Sequence, residues 1–181
     1  KGSRPLGRSE LEQYRRRLLD REISFGAILN ETNKAAAILE KDYGVVADVW
    51  SVTSFNELRR DGIDVERWNM LHPEEPSRVP YVTGALADSK GPIVAATDYV
   101  RNYADQIRPY LDRRYRVLGT DGFGRSDMRS QLRKHFEVNR YYVALAALQA
   151  LAEEKAVDAA LVGKAIAKYK IDPDKPNPVT V

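Results

Sequence analysis

Three short apolar runs, separated by helical sequence, constrain the fold of this chain more than any other feature. They cover Val45–Val52, Pro92–Ala96 and Tyr115–Gly119, and the first two are nearly continuous in apolar character. Short runs of this kind are typical of strands that are buried on both faces of a parallel sheet. Strands that alternate with helices predict an α/β sandwich with a mostly parallel sheet.

Helical patterns fill most of the remaining sequence. Capping boxes at Ser9 and Ser54, each followed by glutamate three residues later, mark two helix starts, and Gly44 is placed to end a helix. A short strand is a further candidate just before the second helix, at Glu22–Phe25. The predicted helices are Ser9–Ile23, Ala27–Asp42, Ser54–Arg60, Asp64–Leu71 after an interruption at Asp61 and Gly62, Val79–Ala87, Thr97 or Asp98 to Arg108, a helix ending near Lys134 that Ser126 or Asp127 caps, Arg140–Glu154 and Asp158–Lys170.

Composition narrows the class of protein. The 181 residues, 43% of them hydrophobic, suit one domain with a real core. The absence of cysteine excludes disulfides and fits a reducing cytosol, and two histidines make a histidine-built metal site a poor expectation. The first residues do not read as a signal peptide, and no apolar run is long enough for a membrane helix.

The positive charge of the chain is concentrated at its start. The net charge is +3, and the whole excess lies in residues 1–25, because basic and acidic residues are equal in number in the remainder. A neutral body has no basic surplus with which to hold a nucleic-acid backbone. The run Arg15, Arg16, Arg17 could contact nucleic acid or an acidic partner, but the carboxylates around it favour a solvated amphipathic helix face.

The turn from Thr120 to Asp127 is the main candidate for a binding site. Gly122 and Gly124 could present backbone N–H groups to an anion, with charge added by Arg125 and a hydroxyl by Ser126. The alternative is a structural turn, in which the glycines let a strand pass sharply into a capped helix. The segment matches neither a Walker loop nor a dinucleotide-binding pattern, and we favour the structural turn.

Other reactive side chains have simpler interpretations. His72 and His135 both lie near predicted helix ends, where a helix C-cap or a surface position is commoner than acid–base catalysis. The acidic pairs Asp61 with Asp64 and Asp121 with Asp127 are too sparse for an EF-hand and fit turns or caps. The tryptophans, Trp50 and Trp68, have apolar neighbours and are expected in the core.

Three strings of sequence carry a resemblance to a known family. They are Asp48–Gly62, Glu66–Pro73 and Leu118–Asp127, the last followed by Arg129, Leu132, Arg133 and His135–Val138. In this order they resemble the C-terminal, transketolase-like domain of homodimeric, thiamine diphosphate-dependent pyruvate dehydrogenases. The resemblance runs from about Gly26 to Val181 and defines two parts, an atypical basic helical lead at 1–25 and a domain at 26–181.

The resemblance implies a three-layer α/β/α sandwich around a mixed sheet of five strands, preceded here by the basic amphipathic helix. It implies an oxidoreductase that decarboxylates pyruvate on thiamine diphosphate with Mg²⁺ and passes acetyl to lipoyl groups. Its implied partners are the remaining domains of the enzyme, a second copy in a homodimer and the dihydrolipoyl acetyltransferase core, in the cytoplasm. The cofactor and its ligands belong to the other domains, so no catalytic, cofactor-binding or metal residue is carried over to this segment.

The start of the chain departs from the family. A hydrophobic strand ending in Gly-Ser-Gly is expected before Ala27, but Ile23-Ser24-Phe25-Gly26 stands there. The first strand of the sheet is therefore shortened, replaced or supplied by something else, which leaves a neighbouring strand with an open edge. The main rival interpretation is a stand-alone interaction module that docks through the basic N-terminal helix, and nucleic-acid binding through that helix is the third.

Overall fold

The structure is a computed structural model, and it describes residues 27–181. The predicted helix Ser9–Ile23 and the candidate strand Glu22–Phe25 lie outside the described residues. The elements in chain order are α1 (Ala27–Tyr43), α2 (Phe55–Leu71), α3 (Tyr81–Ala85), β1 (Ile93–Ala96), α4 (Arg101–Asp105), a 3-10 helix (Arg108–Tyr110), β2 (Tyr115–Leu118), α5 (Arg129–His135), α6 (Arg140–Glu153) and α7 (Ala159–Lys168).

A two-stranded parallel sheet forms the middle layer of the part that the structure describes. Strand β1 pairs with β2 in a register that sets Ile93 beside Tyr115 and Ala96 beside Leu118. Successive side chains of a strand point to opposite faces. Val94 accordingly packs against the cluster on one face and Ile93 against the cluster on the other, so helices cover both faces in an α/β/α sandwich. The α/β class is confirmed, with a smaller sheet than the five strands expected.

One layer consists of α1, α6 and α7. Its core contains Ala35 and Leu39 of α1, Val143 and Leu148 of α6, and Ala165 of α7, all of them buried. Alanines at these positions let the three helices approach closely, while Leu148 fills the space between them. Helix α1 ends as predicted at Gly44, which has a positive φ of 67° that favours glycine.

The opposite layer consists of α2, α3 and α4. Phe55, Val82, Ala104 and Tyr110 form its buried core together with Tyr115 of β2. The Tyr115 hydroxyl donates to the carbonyl of Ala104 at 2.8 Å, and this bond ties β2 to α4. Burial raises the pKa of Tyr115, so the phenol keeps its proton and remains a donor.

A buried carboxylate joins α1 to the start of α6 and to the last turn of α5. Glu31 accepts hydrogen bonds from the Arg140 backbone N–H at 2.9 Å and from its guanidinium at 3.0 Å, and Arg133 adds a contact at 3.3 Å. Burial alone would raise the pKa of Glu31. The hydrogen bonds and charge of Arg140, assisted by Arg133, outweigh that effect and hold the pKa below its ordinary value.

The prediction of a strand at Val45–Val52 is wrong for the described structure. The segment has no regular secondary structure and forms no ladder with another described strand. Val45 and Ala47 pack against the α1–α6–α7 core, whereas Val46 and Trp50 are exposed, so burial alternates and does not cover both faces. A strand requires a hydrogen-bonded neighbour as well as suitable side chains.

The predicted interruption of α2 at Asp61 and Gly62 is also wrong. The helix runs without a break from Phe55 to Leu71. Gly62 is buried, and a Cβ there would lie 2.4 Å from the ring of Tyr110. Glycine stands in the helix because packing leaves no room for a side chain, and this tertiary requirement outweighs its poor helix propensity.

Helix starts agree with prediction at α2 and α7 and differ at two other helices. The Ser54 hydroxyl accepts from the Glu57 N–H, and the Asp158 carboxylate accepts from the Ala160 N–H. Helix α4 begins at Arg101 without a side-chain cap, because the hydroxyl of Thr97 accepts from the next residue but one inside a turn. Helix α5 begins after Met128, so neither Ser126 nor Asp127 caps it.

The prediction that both tryptophans lie in the core is wrong. Trp50 is 55% exposed on the segment Val45–Val52. Trp68 is half-buried at the surface of α2. Its ring stacks on that of His72 with 4.4 Å between centroids, and the Arg78 guanidinium lies over it, 3.8 Å from the ring centroid. Between residues 27 and 181, no helix combines the length and the apolar character that crossing a membrane demands.

Candidate functional site

The loops that follow β1 and β2 meet at the carboxyl edge of the sheet. The Thr120 N–H donates to the carbonyl of Tyr99 at 2.9 Å, and the Thr120 hydroxyl donates to the carbonyl of Asp98 at 2.8 Å. A Cβ on Gly119 would lie 2.8 Å from backbone atoms of Tyr99 and Arg101, so the close approach requires glycine. This edge is where α/β sheets commonly bind ligands.

An ion pair reinforces the same junction. The Arg101 backbone N–H donates to Oδ1 of Asp121 at 2.9 Å, and the Arg101 Nε lies 3.2 Å from Oδ2. The Nε–H is not directed well enough at the carboxylate to form a hydrogen bond, so this second contact is electrostatic only. Both side chains are partly exposed, and the pair positions the loops more than it stabilises them.

Gly122 lets the loop after β2 pack closely against Pro178 and Val179. Its φ is 104°, a backbone conformation that L side chains rarely adopt, and a Cβ there would lie 2.3 Å from the carbonyl oxygen of Pro178. Gly124 is different, because a Cβ there would meet nothing within 4 Å. The structural-turn interpretation therefore has direct support at Gly122 and none at Gly124.

Alanine at Gly122 is expected to destabilise the chain by about 2 kcal/mol, because the new Cβ strains the backbone and displaces the Pro178 carbonyl. Urea unfolding followed by circular dichroism measures this. Gly124→Ala, two residues away, is the matched control and should change the free energy of unfolding by less than about 0.5 kcal/mol. Equal effects of the two substitutions would contradict the role of Gly122.

A shallow pocket of about 330 Å³ lies beyond the turn. Arg125, Ser126 and Asp127 line it from the loop, and Gln131 and His135 line it from α5. Nε2 of His135 is buried and has no hydrogen-bond partner within the described part of the chain. Burial, the charge of Arg125 and the charge of Lys175 lower the pKa of His135, so the imidazole is neutral at neutral pH.

The pocket contains only part of the predicted anion site. Of its four residues, Arg125 and Ser126 line the pocket, whereas Gly122 and Gly124 do not. Asp127 in the same lining opposes an anion. Anion binding by Arg125 and Ser126 stays a prediction. Gln131 was missed and His135 was treated as a helix-end residue, although their spacing of four residues places both on one helix face.

A second basic pocket was not foreseen from the sequence. About 710 Å³ in volume, it lies at the start of β2 and includes Arg108, Arg113, Arg114 and Arg116 in its lining. Every one of these guanidiniums forms an ion pair with a carboxylate, and Glu153 contacts both Arg114 and Arg116. The cluster therefore carries little free positive charge, as expected for a neutral body.

The remaining candidate residues stabilise helix ends. His72 caps the end of α2, where its backbone N–H donates to the carbonyl of Trp68 at 3.0 Å. Asp61 accepts from the Tyr81 N–H at 2.6 Å and anchors the start of α3. Nowhere in residues 27–181 do three or more histidine, cysteine, aspartate or glutamate side chains gather in a way that could hold a metal ion.

Comparison with known proteins gives one family and a set of relatives. The family described as "Transketolase-like TK C-terminal domain" matches residues 12–139, which begins inside the segment 1–25. A protein of Cupriavidus necator is 56% identical over 156 residues, and one of Pseudomonas aeruginosa is 55% identical over 155. One of Escherichia coli K12 is 57% identical over 154 residues.

All three relatives bear the name "Pyruvate dehydrogenase E1 component". The matches cover 84–86% of this chain but only 17–18% of each relative. The chain therefore spans less than a fifth of the length of the proteins that it matches.

Proposed function

The chain belongs to the transketolase-like C-terminal domain family, and we propose that it is the C-terminal part of a pyruvate dehydrogenase E1 component. The observation that carries the proposal is 56% identity over 86% of the chain to a relative of that name. Identity at this level over nearly the whole described domain goes beyond a shared fold, which by itself would not indicate function.

In the proposed enzyme, pyruvate is oxidatively decarboxylated and acetyl is passed to lipoyl groups of a dihydrolipoyl acetyltransferase core. Thiamine diphosphate and Mg²⁺ supply the chemistry of decarboxylation when bound. The described residues do not fit that cofactor pair, because they form no cluster of metal-ligating side chains and their candidate pocket has one carboxylate, Asp127. We assign no reaction step to residues 27–181.

The role left to this part is structural. Three buried clusters and the Glu31 ion network give a stable body on which other domains can rest. The proposal includes a homodimer and a cytoplasmic location, and the balanced charge of residues 26–181 supports a protein that does not bind nucleic acid. The rival interpretation, a module that docks through the basic helix of residues 1–25, falls on a segment outside the described residues and stays a prediction.

A chimera tests the proposal. Residues 27–181 would replace the matching region of one of the three relatives, and pyruvate-dependent reduction of an artificial electron acceptor would be measured with thiamine diphosphate and Mg²⁺. We expect the chimera to be active. A relative truncated before the matching region, and the 181-residue chain alone, should be inactive. A folded but inactive chimera, or turnover by the chain alone, would contradict the proposal.

A further inference from the structure

Large apolar side chains are exposed together at the carboxyl edge of the sheet. Phe123 is 77% exposed at the tip of the loop after β2, and Tyr99 and Val100 are more than half exposed on the loop after β1. Val179 and Val181 of the chain end are more than 40% exposed. We call these five side chains the edge surface. Exposed apolar groups that are clustered mark interaction sites, whereas scattered ones carry no such meaning.

Backbone contacts bring together the three segments that carry the edge surface. Tyr99 is joined to Thr120 by a hydrogen bond, and a Cβ on Gly122 would lie 3.3 Å from the Cα of Val179. Phe123 follows Gly122 directly in the sequence, so its backbone leaves the point where the loop after β2 meets the chain end. The surface also continues into the core, because the ring of Tyr99 contacts that of Tyr103 at 5.1 Å, and Tyr103 packs against the core cluster that includes Phe55.

The loops that carry these side chains are held in place. Hydrogen bonds of 2.8–2.9 Å from Thr120 to Asp98 and Tyr99, and the contact of Arg101 with Asp121, join the two loops to each other. These anchors lie two and three residues before Phe123, whose ring is exposed in the structure. A preformed apolar surface loses little conformational entropy when a partner covers it.

We propose that the edge surface docks against the domains that precede this one in the same polypeptide, an inference that rests on the proposed function. The chain matches 17–18% of each relative, so most of such a polypeptide is available to cover the surface. Two aromatic and three valine side chains present on the order of 500 Å² of apolar area. Stable interfaces between separate proteins bury ~800 Å² on each partner. A covalently linked domain needs less, because linkage raises the effective concentration.

Cysteine labelling tests which partner covers the surface. The chain has no cysteine, so Phe123→Cys gives it a single thiol. Met70→Cys is the matched control, since Met70 is 71% exposed. Met70 lies at the far end of α2 from the Phe55–Tyr103 contact, about 20 Å along the helix. The maleimide reaction would be followed peptide by peptide with mass spectrometry, in the free chain and in the chimera.

We expect Phe123→Cys to react at least about tenfold more slowly in the chimera than in the free chain, because a docked side chain reacts only when the interface opens. Met70→Cys should react at the same rate in both. Equal rates for Phe123→Cys in an active chimera would overturn the inference and leave the proposed function intact. Protection in the free chain that grows with its concentration would assign the surface to a second copy and would also overturn it.

Activity of the chimeras separates the two proposals. If the unmodified chimera is inactive, the proposed function fails and the docking inference fails with it. If only the chimera carrying Phe123→Cys is inactive, while the free chain with that substitution melts at the unmodified temperature, residue 123 is needed for docking and the inference is supported.

Discussion

Glutamine in place of Glu31 is expected to destabilise the chain by about 3 kcal/mol, because it breaks a buried ion pair and leaves guanidinium charge uncompensated. The Glu31 side chain is only 4% exposed and receives three hydrogen bonds from Arg140 and one from Arg133. A neutral amide keeps the shape but cannot balance two cations. Guanidinium chloride unfolding measures the loss as a shift of the midpoint without a change of slope.

The matched control is Glu57→Gln, the same substitution on a different helix. Glu57 pairs with Arg60 at 2.8 Å, and both side chains are well exposed. Exposed pairs contribute little, so the loss should stay below about 1 kcal/mol. If both substitutions destabilise the chain equally, the network around Glu31 does not hold the layer together.

The stability of the unmodified chain and that of Glu31→Gln should depend differently on pH. The pKa of Glu31 is lowered on folding from an ordinary value of 4.5. Its contribution to stability is therefore present above the unfolded pKa and is lost as the pH falls through the lower folded pKa. Unfolding of the unmodified chain at pH 7 and at successively lower pH should show this loss. Glu31→Gln should show less of it, because glutamine does not titrate.

Local signals in the sequence predicted the elements that depend on local chemistry. The end of α1 at Gly44 and the position of β1 within Pro92–Ala96 follow from backbone preference and side-chain pattern, and both agree with the structure. The predicted cap at Ser54 and the predicted start of the last helix at Asp158 agree for the same reason, since a helix start requires only a few neighbouring residues. These features need no information from distant parts of the chain.

Two predictions that depended on distant partners failed. The segment Val45–Val52 has the composition of a strand, but no described strand supplies its hydrogen bonds. Trp68 was expected in the core because of its neighbours in sequence, whereas its stacking partners are His72 and Arg78 at the surface. Burial of a side chain and pairing of a strand depend on residues that are distant in the sequence. Local patterns in a single sequence do not identify those residues.

The candidate site was predicted in the same partial way. Arg125 and Ser126 were identified from the glycine turn, and they do line a pocket. His135 was treated as a helix-end residue, and its buried Nε2 became apparent only when α5 was placed beside the turn. The contact of Gly122 with Pro178 joins residues 56 positions apart. No local pattern could have indicated it.

Alanine at Gly62 is expected to destabilise the chain by about 3 kcal/mol, the upper end of the range for overpacked cores. A Cβ at this position would lie 2.4–2.6 Å from three ring atoms of Tyr110. The ring is buried against α2, and the Thr83 hydroxyl of α3 donates to the Tyr110 carbonyl at 2.6 Å, so neither ring nor backbone can move freely. Thermal unfolding and denaturant unfolding should both report the loss.

The same substitution at Gly163 should have the opposite sign. Gly163 lies inside α7, is exposed, and a Cβ there would meet nothing within 4 Å. Helix propensity alone then acts, and alanine should stabilise the chain by up to about 1 kcal/mol. Helix propensity favours alanine equally at both sites, so the difference between them isolates the packing term. Stabilisation at both sites would mean that Tyr110 does not pack against Gly62 as described, and the continuity of α2 would then need another cause.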